Sequence, residues 1–172
     1  MKRFYLPVIL FFLLVLEGIA IEILPPSVLT GELTFVPHWV LIFIIYIAVF
    51  YDRDTTYYSI LYAVIFGFLI DVVYTGILGL YTFSYGFATY IIHELKKLLH
   101  GNFYVMVLLG LLGIALADAA LYIIFSLLEM VNMSWKNYSL YRLLPSLGSN
   151  LLFLIILYPI FQKRLLFWGR ER

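Results

Sequence analysis

The chain has 172 residues, of which 65% are hydrophobic, 19% aromatic and only 12% charged, and its mean hydropathy is +1.03. That leaves too little polar surface to cover a soluble domain, so the chain reads as an integral membrane protein. A formal net charge of +1 offers no global attraction to nucleic acid, and the absence of cysteine excludes disulfides, thiolate catalysis and cysteine metal sites. Apolar runs near twenty residues without strand alternation predict an all-α polytopic bundle, because a helix satisfies its own backbone in lipid.

The first run, residues 4–24, follows Lys2-Arg3 and is interrupted by Glu17, Gly18 and Glu22. It is long enough to span; a cleaved signal peptide is the rival reading, but Glu17-Gly18-Ile19-Ala20 lacks a small-residue cleavage site. Turn signals at Pro25-Pro26-Ser27 and Thr30-Gly31-Glu32 precede a short second span, residues 38–51, which can also start at Phe35 with Pro37 in its first turn. Asp52-Arg53-Asp54 is a tight polar turn, and residues 55–73 form the third span. After a brief connection, residues 80–95 form the fourth, ending in His93-Glu94-Leu95-Lys96-Lys97. The fifth, residues 103–130, is about 42 Å long if wholly helical, more than the roughly 30 Å hydrocarbon layer, so it should tilt or project. A polar loop with Asn132, Lys136 and Asn137 leads to the sixth span, residues 143–161, with Pro145 in its first turn and Pro159 near its end. The basic tail around Phe167 and Trp168 suits a membrane interface.

Six spans place both termini on one side. With that side cytoplasmic, Lys2, Arg3, Arg53, Lys96, Lys97, Lys163, Arg164, Arg170 and Arg172 lie inside, and Lys136 and Arg142 lie outside. This is a clear positive-inside bias. Neither outer loop is large enough for a domain, so residues 1–172 are expected to form a single membrane domain.

Ionisable residues within the spans are functional candidates by default. Asp71 lies on one side of the third span with Ala63, Gly67 and Tyr74, facing a stripe of Gly79, Thr82, Gly86, Tyr90 and His93 in the fourth. It reads either as a functional carboxylate or as a cap for the following turn. Arg142 starts the sixth span on the same outer side, so an Asp71–Arg142 ion pair is expected, with an arginine snorkelling to lipid phosphate as the alternative. Asp118, in mid-span among alanines, is costly there by roughly 2.5–3.5 kcal/mol on insertion scales. It and Glu17 need relief, either by sharing a proton or through tyrosine hydroxyls. Helix packing is favoured over an ion path, since no Lys or Arg lies at matching depth. Gly110 and Gly113, followed by Ala117 and Ala120, read as packing positions.

No catalytic constellation is visible. His38, His93 and His100 lack metal-ligand spacing, and neither G-x-S-x-G nor a phosphate-binding glycine loop occurs, so no catalytic residue, metal or cofactor is expected.

The segment Gly67-Phe68-Leu69-Ile70-Asp71-Val72-Val73-Tyr74-Thr75-Gly76-Ile77-Leu78-Gly79-Leu80-Tyr81-Thr82-Phe83 resembles the G-F-x-x-D-x-x-Y-x-x-x-x-G-x-Y-x-F type signature of the bacterial rod-shape-determining MreD family. The size, six spans, basic start, basic tail, Asp118 in the fifth span and Glu17 in the first are similar too. The resemblance implies a non-enzymatic component of the elongation machinery for peptidoglycan in the plasma membrane. Its partners would be MreC, the RodA glycosyltransferase with a class B penicillin-binding protein, and, indirectly, MreB filaments, besides membrane lipid. It assigns Gly67, Asp71, Tyr74, Thr75, Gly79 and Tyr81 to a structural or interaction motif. It also implies a fold similar to the substrate-binding subunits of energy-coupling-factor transporters, and hence an alternative function: a small-molecule capture subunit of a vitamin-type transporter.

Overall fold

A computed structural model of the chain describes residues 4–23 and 33–170; the turn signals at residues 25–32 and the charges of Lys2, Arg3, Glu171 and Arg172 lie outside them. The described residues form six helices and no strand: α1 (Tyr5–Ile23), α2 (Trp39–Tyr51), α3 (Tyr58–Thr75), α4 (Leu80–Lys96), α5 (Phe103–Leu127) and α6 (Trp135–Arg170). Three of them, α3, α5 and α6, are long and apolar enough to cross a membrane; Tyr5–Ala20 and Trp39–Tyr51 are shorter apolar stretches. α5 stops before the expected residue 130, where Glu129 takes a left-handed backbone (φ 57).

α2 is the centre of the bundle. A helix that is hydrophobic all round has no face to give to water, and Val40 to Ala48 are each 0% exposed, with the other five helices packed around them. At 13 residues α2 is only about 20 Å long. The missing length comes from residues 34–38, which lead into its N-terminus without regular secondary structure.

Non-helical backbone inside a bundle is tolerated only where other groups bond it, and α6 supplies them. Val36 N donates to Ser146 Oγ (3.0 Å), His38 N to Asn150 Oδ1 (2.8 Å), and Asn150 Nδ2 to Val36 O (2.7 Å). Thr34 N donates to Tyr141 O (2.7 Å). That carbonyl is free because Pro145, four residues on, has no N–H to offer it. Pro145 was expected in the first turn of the sixth span; instead the helix starts earlier, capped by the Ser134 side chain, and continues through a π turn at Ser139–Leu143. Its other end runs on to Arg170, so the tail is helical through Lys163, Arg164 and Arg170.

α3 and α4 form an antiparallel hairpin whose spacing is set by Gly67. A Cβ there would lie 2.7 Å from Tyr81 O and 2.8 Å from Thr82 Cα, so the backbones touch. Gly79, expected to serve the same close approach, serves another purpose: nothing lies within 4 Å of its would-be Cβ, and its backbone is left-handed (φ 101). α5 and α6 meet where Gly110 receives the Leu154 side chain. At the end of the bundle that carries the termini, Tyr5 stacks on Trp168 (5.6 Å) and a Cβ on Gly169 would lie 3.0 Å from Tyr51 O. The outer surface of the spans is apolar, with Val8, Phe11, Phe12, Ile65, Phe68, Leu152 and Ile156 exposed, as a lipid surround requires.

Candidate functional site

Three of the acids in or beside the spans close helix N-termini. The first N–H groups of a helix lack partners and carry its positive end, so a carboxylate there relieves both. Glu17 of α1, 5% exposed, accepts from Val40 N (3.0 Å) in the first turn of α2, whose own N-cap His38 makes no side-chain cap bond. Asp52 accepts from Tyr58 N (3.3 Å) and Ser59 N (2.8 Å) at the start of α3. Asp71, 0% exposed, accepts from Gly79 N (2.9 Å), Tyr81 N (2.8 Å), Thr82 N (3.1 Å) and Thr82 Oγ1 (2.7 Å) at the start of α4.

The rest of the signature segment completes this corner. The π turn at Asp71–Thr75 ends on Gly76 (φ 68), whose N–H reaches Asp71 O (2.8 Å). Thr75 Oγ1 bonds Asp71 O (3.0 Å) and accepts from Ile77 N (3.2 Å). Tyr74 reaches across to α1, its ring against Gly18 and its hydroxyl donating to Leu14 O (2.9 Å). Tyr81 packs edge-on against Tyr85 (5.4 Å).

Asp118 is the exception, since its partners are side chains. From the middle of α5 it accepts from the Tyr138 hydroxyl (2.7 Å) at Oδ2 and lies 3.3 Å from Arg142 Nη2 at Oδ1. The π turn between them winds wider than an α turn, and both Tyr138 and Arg142 reach the one carboxylate. His38 Nε2 lies 3.6 Å from the same Oδ1, and His38 Nδ1 is 2.9 Å from the Tyr85 hydroxyl. Tyr138 is fixed by stacking on Tyr122 (4.0 Å) with Trp135 edge-on to both. Four elements thus converge: the N-cap of α2, α4, α5 and the start of α6. Asp118, His38, Tyr85 and Tyr138 are all 0% exposed; the Arg142 side chain retains 23%.

The ion pair expected between Asp71 and Arg142 is therefore replaced by Asp118–Arg142. The backbone donors of α4 already fill the Asp71 carboxylate, and Asp118 was the buried charge in need of a cation. Nor do Glu17 and Asp118 share a proton: Glu17 serves α2, and Asp118 takes the tyrosine route. His38, Tyr138, Ser146 and Asn150 were missed as site residues. The available signal was a polar stripe on the sixth span, Arg142, Ser146 and Asn150 at four-residue spacing.

The profile of the family described as rod shape-determining protein MreD matches residues 2–167. The chain belongs to the MreD family. It is 29% identical over 172 residues to the rod shape-determining protein MreD of Bacillus subtilis (strain 168), covering 100% of this chain and 97% of that protein. No solved structure matches the chain significantly. As an MreD-family member it is a rod shape-determining integral membrane protein, and Gly67, Asp71, Tyr74, Thr75 and Gly79 lie together at the α3–α4 corner.

Proposed function

We propose that this MreD-family chain is a non-enzymatic membrane scaffold of the bacterial elongation machinery, one membrane domain over residues 1–172 that supports lateral peptidoglycan synthesis by binding MreC and the wall synthases. RodA and the class B penicillin-binding protein are the synthases, and MreB filaments connect indirectly. The observation that carries this reading is the use made of the buried acids. Glu17 and Asp71 are filled by backbone donors and Asp118 by neighbouring side chains, so none of the three offers a free carboxylate to a substrate. What remains for partners is the apolar outside of the helices and the loops at their ends. The lysine and arginine distribution supports a plasma-membrane orientation with both termini cytoplasmic.

A tagged chain extracted in mild detergent should bring MreC with it. If MreC is absent under conditions that preserve other inner-membrane complexes, the scaffold reading fails. A double variant, Asp71→Asn with Asp118→Asn, separates the scaffold from a third reading, an intramembrane lipid-processing enzyme that would use one of these two carboxylates. Cells that keep rod shape at normal protein level exclude carboxylate catalysis.

The alternative of a vitamin-type capture subunit has less support. A groove of about 720 Å³ lies between α1, residues 34–38 and α6, lined by Leu16, Ile19, Phe35, Trp39, Phe153 and Ile156 among others. Among the described residues that line it, Ser149 carries the one hydroxyl and the others are apolar or aromatic, whereas a site for a polar small molecule needs several convergent polar groups.

A further inference from the structure

At the opposite end of the bundle from Asp118, four buried polar atoms have no hydrogen-bond partner: Ser59 Oγ, Thr89 Oγ1 and both ring nitrogens of His93. All three residues are 0% exposed. They belong to one place in the α3–α4 hairpin. Gly67 faces Thr82, Val64 faces Gly86, and the Tyr57 ring lies 4.9 Å from the His93 ring. That register sets Ser59 level with the turn of α4 from Thr89 to His93, and residues four apart on a helix share a side. A buried hydroxyl or imidazole without a partner is costly, and so many in one spot call for a common one.

The charges nearby are already balanced. Lys97 Nζ is paired with Glu94 (2.6 Å), Lys96 Nζ lies 3.8 Å from Asp54 and donates to Asp52 O, and the Asp52 carboxylate serves α3. The missing partner is thus a neutral donor and acceptor. Buried water, which makes about three hydrogen bonds to otherwise unsatisfied groups, has that chemistry. At the α2–α3 turn a surface cavity of about 340 Å³ is lined by Thr55, Thr56, Tyr57, Tyr58 and Leu61. Tyr57, half-exposed, stands between this cavity and His93.

We propose that Ser59, Thr89 and His93 line a hydrated site between α3 and α4, entered past the Tyr57 ring from the α2–α3 turn. The core around Ala88 is dry; Ser84 Oγ, also buried without a partner, lies further along α4 and is outside this site.

The unmodified protein in nanodiscs tests this directly. Diethyl pyrocarbonate, read by peptide mass spectrometry, should modify exposed His100 first, His93 next, and His38 far behind, although His93 and His38 are equally inaccessible in the static fold. The cysteine-free sequence allows a second measurement. With a small water-soluble methanethiosulfonate, Thr89→Cys should react at least roughly tenfold faster than Ala88→Cys, because a thiol in the dry core reacts only through local opening. Adding Tyr57→Ala should accelerate the reaction at position 89 and leave position 88 unchanged. His93 remaining as inert as His38 overturns the proposal, and so does equal labelling at positions 88 and 89.

Discussion

Replacing Asp71 with alanine should remove more stability than any other single change in the signature segment. The carboxylate accepts three backbone N–H groups and one hydroxyl at the start of α4. Loss of an N-cap alone costs about 0.5–2 kcal/mol, and a donor left buried without a partner costs about 1–3 kcal/mol more. Some of the freed donors will find water, because the corner is only partly closed, so the expected total is about 3–4 kcal/mol. Asp71→Asn keeps one acceptor oxygen but turns an NH₂ toward the same donors, and should cost roughly half as much. Reversible unfolding in mixed detergent micelles gives the free energies, and hydrogen exchange at Gly79, Tyr81 and Thr82 shows where the loss falls. A cost under about 1 kcal/mol for Asp71→Ala, with those amides still protected, would refute the capping account.

Three further outcomes follow from the packing. A double-mutant cycle between Asp118→Asn and Arg142→Gln should give a coupling of about 1–3 kcal/mol, while Asp71→Asn with Arg142→Gln should be additive within about 0.5 kcal/mol; the reverse pattern would restore the pair expected from sequence. Gly67→Ala should destabilise by about 1–3 kcal/mol because its Cβ meets backbone that cannot rotate away. Gly86→Ala, whose Cβ would sit 3.4 Å from Val64 Cγ2, should be neutral or gain up to about 1 kcal/mol from helix propensity; thermal melts of the two variants compare them. Asn150→Leu leaves His38 N and Val36 O without partners and should cost about 2–4 kcal/mol, read as early exchange of the His38 amide, with Ser146→Ala milder.

Hydrophobic runs were enough to locate six helices, because a buried or lipid-facing helix writes itself as a run of apolar residues, but not to bound the sixth, which starts at Trp135 and runs to Arg170 instead of covering 143–161. Local spacing also set Gly67 beside the fourth span, since both sides of a hairpin sit close in sequence. What was not legible is contact over long separations. The Asp118 partners come from residues 38, 138 and 142, and the bonds of residues 34–38 come from residues more than a hundred positions away. Depth along a span cannot say which of two carboxylates an arginine meets; only the π turn at Ser139–Leu143 and the helix facing it decide that. Gly79 misled for a different reason: a glycine needed for backbone angle looks in sequence like one needed for close approach.

The three carboxylate caps also carry an order in time. Glu17 precedes α2, Asp52 precedes α3 and Asp71 precedes α4, so as the chain is made each capping carboxyl group is in place before its helix arrives. The first four helices can therefore settle one by one as they leave the ribosome. Asp118 must wait, because Tyr138 and Arg142 arrive with the last helix, and so do Ser146 and Asn150, whose side chains bond the backbone of residues 36 and 38. A chain cut off after α5 would leave the Asp118 carboxyl without the Tyr138 hydroxyl and the Arg142 guanidinium that meet it, so the last helix to be made completes the buried cluster.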